Sequence, residues 1–501
     1  MSASSDPITG NPTTNSARSL PASAIRLGAT HANILAREPI HEGTTHADLT
    51  HEDLTHEDLT HEDLDRAEDR DRVSAVRRQG GALGRLRLLW LLIGPGILVM
   101  LGENDGPSML SYAAAGARYG VSFFLPFIVL TFAMAIVVQE MTVRLGAATH
   151  RGHAQLIFDR FGPFWGWFSM IDLTLGNFLT LVTEFIAIRA GLAFFGVPPW
   201  ISVLGTLCVL YLALLTHRYW TWERMTMAAA AFNLIFVPIA LLSHPDWNAV
   251  RHTLIAWKPL PGGLDRDVVL MILATIGATV TPWMIFFQQG ATVDKGLTKS
   301  DIRFGRIDTI IGAILAAAAA LAMVLATAPL FRHSLGAANF EAAEFAQALR
   351  PIIGGWGAAL FSLGIVEAGL VASITISISS AYAFGEVTGK PHSLNLPMGQ
   401  GKAFYSVLLL CAAGAAAIVL IPGLPLVSVV LIVNVIAVLA MPPALVFLFM
   451  LVNDKEIMGD LVNPRWANIL ATAVVMLLVS AGVLFGASVL TPRVLAAFGG
   501  R

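Results

Sequence analysis

Gly102-Glu103-Asn104-Asp105-Gly106-Pro107-Ser108 is a polar stretch inside a long hydrophobic segment, and Gly277-Ala278-Thr279-Val280-Thr281-Pro282 interrupts a second such segment. Each stretch contains glycine and proline, which readily end a helix. A helix break at membrane depth frees backbone carbonyls that lipid cannot satisfy, so breaks persist only where they line a cavity inside the protein. We therefore expect both stretches to face an internal cavity of a membrane protein.

The composition agrees with that expectation. The 501-residue chain is 55% hydrophobic and only 13% charged, with a mean hydropathy of +0.68, which is typical of polytopic membrane proteins. The basic residues fall in short loops and form no contiguous stripe, so nucleic acid is excluded as a partner. Cys208 and Cys411 lie in apolar runs without a C-x-x-C spacing, and we interpret both as packing residues.

The first 84 residues form a separate region. They are rich in Ser, Thr, Ala, His, Asp and Glu and contain a five-residue repeat, Thr-His-Ala-Asp-Leu at 45–49 followed by Thr-His-Glu-Asp-Leu at 50–54, 55–59 and 60–64. So little apolar surface predicts a disordered cytoplasmic tail, followed by a transmembrane domain over residues 85–501. The histidines and acids of the repeat are potential metal ligands, but a period of five does not keep one helical face. Repeat expansion in an unconstrained tail is the favoured interpretation.

Long apolar stretches recur from Leu88 onward, each of about 18 or more residues and able to cross ~30 Å of hydrocarbon. Eleven are predicted, at residues 88–116, 121–145, 164–195, 199–216, 225–243, 267–290, 307–331, 355–384, 403–421, 425–452 and 467–490. Lys and Arg are concentrated in alternate loops, beginning ahead of the first span. The positive-inside rule therefore places the N-terminus in the cytoplasm, and an odd number of spans places the C-terminus outside.

The two breaks fall in spans one and six. An offset of five predicts two inverted five-helix repeats plus an eleventh helix, an arrangement in which half-helix ends and unwound carbonyls meet near the bilayer midplane. Such paired breaks indicate the substrate site of a transporter. Because Asp105 lies in one break and an unpaired acid is costly at this depth, the expected substrate is a cation.

Several sequence landmarks resemble one family across residues 88–490. They are Gly94-Pro95-Gly96, the Asp105 break, Ala115-Gly116-Ala117-Arg118-Tyr119-Gly120, Arg144-Leu145-Gly146, the Gly277–Pro282 break and Met458-Gly459-Asp460-Leu461-Val462-Asn463. In this order they resemble the NRAMP divalent-metal transporters. The resemblance implies an all-α membrane protein with a LeuT-like fold, broken helices 1 and 6, and transport by alternating access.

The resemblance also implies a set of metal ligands. The family's Asp-Pro-Gly-Asn motif falls on Asp105-Gly106-Pro107-Ser108, and its Ala-x-x-Met-Pro-His motif falls on Ala278–Trp283, with Thr281 in place of Met and Trp283 in place of His. The family's span-ten Gln corresponds to Asn434. The predicted metal ligands are therefore Asp105, Ser108, Ala278, Thr281, Asn434 and Gly102, with Ala278 and Gly102 acting through their carbonyls. The hydroxyls of Ser108 and Thr281 have an alternative, since they can bond back to a carbonyl one turn earlier.

The departures from the family pattern are chemical. A Met thioether is a soft ligand that favours transition metals, whereas a Thr hydroxyl is a hard oxygen donor of the kind that Mg²⁺ requires. In span three Glu184 matches a family carboxylate, but Leu181 replaces a family Asp, and together with Trp283 this removes titratable groups from the proposed proton route. The pattern is similar to the NRAMP-related magnesium transporters. For Glu367, in span eight, lining of the cavity and internal pairing both remain open.

These observations lead to one main expectation and two alternatives. The main one is uptake of Mg²⁺, with Mn²⁺ also accepted, by alternating access without proton coupling, in the plasma (inner) membrane. The alternatives are a proton-coupled Mn²⁺/Fe²⁺ importer of the ordinary NRAMP type and a non-transporting protein like the NRAMP-like ethylene-signalling proteins, which carry a long soluble C-terminal effector. An enzyme is not expected, because the sequence offers no nucleophile–base pair, and no cofactor is expected. The oligomeric state is open, with a monomer as the expectation.

Overall fold

The computed structural model describes residues 73–78, 81–216, 218–257, 266–332, 342–424 and 426–497, and within these residues all regular secondary structure is helical. In chain order the helices are α1 Gly81–Leu92, α2 Pro95–Gly102, α3 Gly106–Tyr119, α4 Phe124–Thr149, α5 His153–Phe161, α6 Pro163–Ala193, α7 Pro199–Ala213, α8 Tyr219–Ala230, α9 Phe236–Leu242, α10 Trp247–Ala256, α11 Arg266–Gly277, α12 Pro282–Asp294, α13 Ile302–Arg332, α14 Ala342–Thr388, α15 Lys402–Val419, α16 Leu426–Val452, α17 Lys455–Met458 and α18 Arg465–Ala497. The repeat-containing tail, up to residue 72, lies outside the described residues, and its disorder stays a prediction.

The helices account for a multi-pass integral membrane protein. Nine segments in the described part of the chain are long and apolar enough to cross a bilayer: α4, α6, α7 with its 3-10 extension, α8 with α9, α11 with α12, α13, α14, α15 and α18. The broken pair α2 and α3 corresponds to the first predicted span, and α16, of 27 residues, corresponds to the tenth. The eleven predicted segments therefore each have a helical counterpart.

The first predicted span, which starts at residue 88, contains a bend that the sequence did not predict. Residues 88–92 belong to α1, which bends by 49° from α2, because Gly94 adopts a φ of 158° that L side chains rarely adopt. Hydropathy cannot reveal this bend, since α1 is itself rich in leucine. Its residues Leu83, Leu86 and Trp90 are exposed.

Proline and an acidic cap position both half-helices of the first span. Pro95 lies in the first turn of α2 and Pro107 in the first turn of α3, where a missing N–H costs no hydrogen bond. Asp105 caps α3, because its Oδ1 accepts the backbone N–H of Ser108 at 2.7 Å. Pro282 begins α12 in the same way, so the predicted breaks in helices 1 and 6 are confirmed.

The beginning of α2 is held in a buried polar network. Lys295, just past the end of α12, donates from Nζ to the Ile93 carbonyl at 2.7 Å and to Glu223 Oε2 at 2.5 Å. Asp308 of α13 accepts the N–H groups of Gly96 and Ile97 at 2.6 and 3.2 Å. Three different helices, α8, α12 and α13, therefore anchor one end of the half-helix that leads to the break.

Replacing Lys295 by Met is expected to destabilise the protein by about 3–5 kcal/mol, because Glu223 would remain buried without its cation. The measurement is thermal unfolding of the purified protein. The double variant Lys295→Met, Glu223→Gln should recover part of the loss, since the uncompensated charge is then gone. Lys299→Met, at an exposed lysine nearby, is the matched control, and equal midpoints for Lys295→Met and Lys299→Met would contradict the role of the network.

A second buried contact joins α5 to α12. His153, at the start of α5, is buried and places Nδ1 3.1 Å from Gln289 Oε1, while Gln289 Nε2 donates to the Arg151 carbonyl at 2.9 Å. Burial lowers the pKa of His153 to about 4. The ring is therefore neutral in the folded protein at physiological pH.

His153 should make stability depend on pH. Because its folded-state pKa of about 4 lies below the unfolded value of about 6.5, its contribution is complete above pH ~6.5 and is lost as the pH falls toward 4. The full loss is about 3 kcal/mol. Unfolding midpoints measured across this range should fall less steeply in His153→Gln than in the wild type. The control is His252→Gln, at an exposed site. A wild-type slope retained in His153→Gln would refute the assignment.

Candidate metal-ion site

The break in the first span exchanges a helical hydrogen bond for a contact with α6. In a continuous helix the N–H of Gly106 would bond to the carbonyl of Gly102. It donates instead to Glu184 Oε2 at 3.1 Å. A Cβ at Gly106 would lie 2.5 Å from the Ala187 Cβ, so only glycine fits this close approach. The Gly102 carbonyl thus loses its helical partner, as predicted.

The break in the sixth span also leaves a backbone carbonyl without its helical partner. The helical partner of the Ala278 carbonyl would be residue 282, but Pro282 has no N–H. The carbonyl accepts the hydroxyl of Tyr112 at 2.8 Å, and its second lone pair is available to another partner. Tyr112 was not assigned from the sequence. Its spacing from Ser108, one helical turn along α3, is the signal that could have found it.

The two breaks touch through a pair of side chains. The Thr281 hydroxyl donates to Glu103 Oε2 at 2.8 Å. The indole N–H of Trp283 lies near the same carboxylate but forms no hydrogen bond. Glu103 has 0% of its surface exposed. Sequence reasoning quoted Glu103 as part of the break but gave it no role, whereas the structure places it between the predicted ligands Asp105 and Thr281.

Three buried acids surround the first break. The carboxyl groups of Asp105 and Glu184 lie within hydrogen-bonding reach of each other, and Glu103 is close enough to interact electrostatically with both. Among the described residues, no Lys or Arg forms an ion pair with any of the three. The local potential is therefore strongly negative and attracts cations.

The acids do not by themselves form a complete cage. In the described part of the chain, no three His, Cys, Asp or Glu side chains converge as ligands of one metal ion. An ion at the breaks must therefore take hydroxyl, carbonyl or water oxygens in addition to carboxylate. Such a donor set is hard and oxygen-rich, which suits Mg²⁺, Ca²⁺ and Mn²⁺.

The structure brings five of the six predicted ligands to the breaks. Gly102, Asp105 and Ser108 belong to the first, with the Ser108 hydroxyl near the Asp105 carboxylate, and Ala278 and Thr281 belong to the second. Asn434 lies in α16, but its side chain is outside the described residues, so its role stays a prediction. The alternative for Thr281, a bond to a carbonyl one turn earlier, is replaced by the bond to Glu103.

A narrow cavity reaches the second break from the side of α6 and α16. It is lined by Asp172, Leu173, Gly176, Asn177, Thr180, Thr281, Pro282, Trp283 and Ala440. Three of its lining residues lie on one face of α6, since Asp172, Gly176 and Thr180 are spaced by four residues. The cavity gives Thr281 a partly polar surrounding.

Glu367 is linked to the first break only indirectly. Both of its carboxylate oxygens are buried without a hydrogen-bond partner, and the side chain of Asn233 lies close to them. Asn233 in turn exchanges hydrogen bonds of 3.3 Å with Asn104. Among the described residues, no Lys or Arg forms an ion pair with Glu367. Lining of the cavity by Glu367 stays a prediction.

The chain is similar to a known family along most of its length. The family model Nramp, described as natural resistance-associated macrophage protein-like, matches residues 96–488. Divalent metal cation transporter MntH of a Nostoc species is 27% identical over 402 residues, covering 77% of this chain and 88% of that protein. Divalent metal cation transporter MntH 1 of Pseudomonas aeruginosa is 28% identical over 408 residues, covering 77% and 89%.

Solved structures agree on the fold. The manganese transporter of Eremococcus coleocola, in complex with an aromatic bis-isothiourea substituted compound, superposes with a TM-score of 0.68 at 21% identity, covering 84% of this chain and 90% of that chain. MhsT in complex with L-phenylalanine gives a TM-score of 0.52 at 13% identity, covering 78% and 97%. The predicted LeuT-like fold is thereby confirmed. With a family model matching most of its length, this chain belongs to the natural resistance-associated macrophage protein-like (Nramp) family.

Proposed function

We propose that this protein carries divalent metal cations across the membrane by alternating access, with Mg²⁺ as the main substrate and Mn²⁺ also accepted. The observation that carries the proposal is the contact between the two breaks, where the hard hydroxyl of Thr281 takes the place of the family's soft Met beside a carboxylate. The ordinary members named above are divalent metal or manganese transporters. A site without thioether loses their preference for transition metals.

The proposed ligands are Asp105, Ser108, Thr281 and the carbonyls of Gly102 and Ala278, completed by water and by Asn434 of α16. Mg²⁺ gives up its water shell reluctantly and usually keeps several waters when bound. Oxygen donors spread over two half-helix ends can hold such a partly hydrated ion. Rocking of one set of helices against the rest would then expose the same ligands to each side in turn.

The membrane potential would drive uptake. Each divalent ion gains about 4.6 kcal/mol per 100 mV on moving to a negative interior, twice the value for a single charge. The distribution of Lys and Arg supports a cytoplasmic N-terminus and an external C-terminus, and we place the protein in the plasma (inner) membrane. Leu181 and Trp283 support uncoupled transport, because neither side chain can exchange a proton.

The second candidate is a proton-coupled manganese importer. The close pair of carboxyl groups on Asp105 and Glu184 favours it, since two such groups can share and release a proton. The similarity to a manganese transporter supports manganese as the ion of this candidate.

Uptake into liposomes with an internal pH dye separates the two candidates. We expect Mg²⁺ to enter under a negative-inside potential without internal acidification, and excess Mg²⁺ to compete with Mn²⁺. Acidification that follows each ion inward would establish the proton-coupled candidate instead. Mn²⁺ uptake that ignores excess Mg²⁺ would refute magnesium as a substrate.

A further inference from the structure

Glu103 is a buried acid with one oxygen engaged and one oxygen unused. Its Oε2 accepts the Thr281 hydroxyl at 2.8 Å, and its Oε1 is buried without a hydrogen-bond partner. The side chain has no exposed surface. A buried oxygen of this kind is costly unless something absent from the protein's own hydrogen bonds satisfies it.

The charges around Glu103 indicate what that partner is. The acids close enough to influence it and each other are Asp105 and Glu184, and among the described residues no Lys or Arg pairs with it. An uncompensated carboxylate within a membrane span marks an ion pathway far more often than a structural role. Two carboxylates, from Glu103 and Asp105, together balance the charge of one divalent cation.

We propose that Glu103 is a second carboxylate ligand of the transported ion, coordinating it through Oε1, and that it selects for a hard, strongly hydrated divalent cation such as Mg²⁺. This inference rests on the proposed function. The other oxygen of Glu103, Oε2, accepts the hydrogen bond from the Thr281 hydroxyl. The lone pairs of the Thr281 oxygen are thereby turned away from Glu103 and left free for the ion.

This arrangement changes the chemistry of the site in two ways. A second carboxylate strengthens the field at the ion, which offsets the cost of removing part of its water shell. An oriented hydroxyl adds a neutral oxygen donor at a fixed place, where a thioether would add a soft one. Glu103 therefore contributes a negative charge and also orients the Thr281 hydroxyl.

Glu103→Gln tests the charge while preserving shape. The amide oxygen of Gln can still accept the Thr281 hydroxyl proton, so the contact between the two breaks is kept and only the carboxylate charge is lost. In proteoliposomes we expect the KM for Mg²⁺ to rise about tenfold or more, since charged oxygen ligands dominate binding of this ion. The thermal stabilisation of the purified protein by Mg²⁺ should shrink in parallel.

The matched control is Glu386→Gln, the same substitution at another buried acid, which lies in α14 and accepts the N–H groups of Ala154 and Gln155 at the start of α5, outside both breaks. Its KM for Mg²⁺ should stay within about twofold of the wild type, as is usual for residues that do not touch the substrate. A KM in Glu103→Gln that equals the wild-type value would overturn the inference and leave the proposed function standing. A wild type that moves no divalent cation would overturn the proposed function itself, whatever the variants do.

A further variant decides the matter if Glu103→Gln does not fold. Glu103→Asp keeps the carboxylate charge, but its side chain is one methylene shorter, which moves the carboxylate away from the ion. The variant should therefore weaken ion binding without removing a charge from the membrane span. A KM for Mg²⁺ raised about threefold or more supports ligation, because coordination distances tolerate little displacement. A wild-type KM in this variant would overturn the inference.

Discussion

Asp105→Asn is expected to reduce Mg²⁺ uptake at least ~100-fold, because it removes a carboxylate from the place where both helix breaks meet and leaves part of the ion's double charge uncompensated. The fold should survive the change. Asn is as good a helix N-cap as Asp, so the bond to the Ser108 N–H can still form. The measurement is initial uptake into proteoliposomes, with Mg²⁺ binding to the purified variant followed by calorimetry.

A matched control separates the charge from the cap. Asp246 caps α10 by accepting the N–H groups of Asn248 and Ala249 at 3.0 and 3.2 Å, and it is exposed. Asp246→Asn should transport like the wild type. Near-normal uptake by Asp105→Asn would remove Asp105 from the list of ligands.

Thr281→Met is expected to invert the ion preference. It restores the residue of the ordinary family motif, introduces a soft thioether and deletes the hydroxyl that binds Glu103. Uptake of Mg²⁺ should fall about tenfold relative to Mn²⁺, and Cd²⁺, a soft cation, should become a strong competitor. Competition uptake assays with the three ions measure the change.

Thr281→Ser is the control for this experiment, because it keeps the hydroxyl and its bond to Glu103 while removing a methyl group. Its preference for Mg²⁺ over Mn²⁺ should resemble that of the wild type. If Thr281→Met keeps the wild-type order of ions, the hydroxyl does not set selectivity and the magnesium proposal loses its main support.

Much of the membrane architecture could be predicted because its causes are local. Long apolar runs have to cross the bilayer, and glycine and proline interrupt a helix wherever they occur. The breaks at Asp105 and Thr281 therefore follow from residues that are neighbours in the chain. Their offset of five spans fits an inverted repeat, and the resemblance to the family implied the LeuT-like fold.

The remaining features depend on contacts between distant residues. Glu103 and Thr281 are 178 residues apart, and Lys295 meets the Ile93 carbonyl from 202 residues away. No periodicity in the sequence encodes such pairs. The family motifs drew attention to Asp105 and away from the acid two residues earlier, and the bend before α2 was hidden because the helices on either side of it are both apolar.

The most direct test of the site is the anomalous scattering of Mn²⁺ in crystals of the wild-type protein. The account predicts one strong peak between the two helix breaks, within coordination distance of Asp105 and Thr281, and predicts that excess Mg²⁺ in the soak removes it. A peak that lies away from the breaks, or that persists in excess Mg²⁺, would contradict a shared hard-cation site.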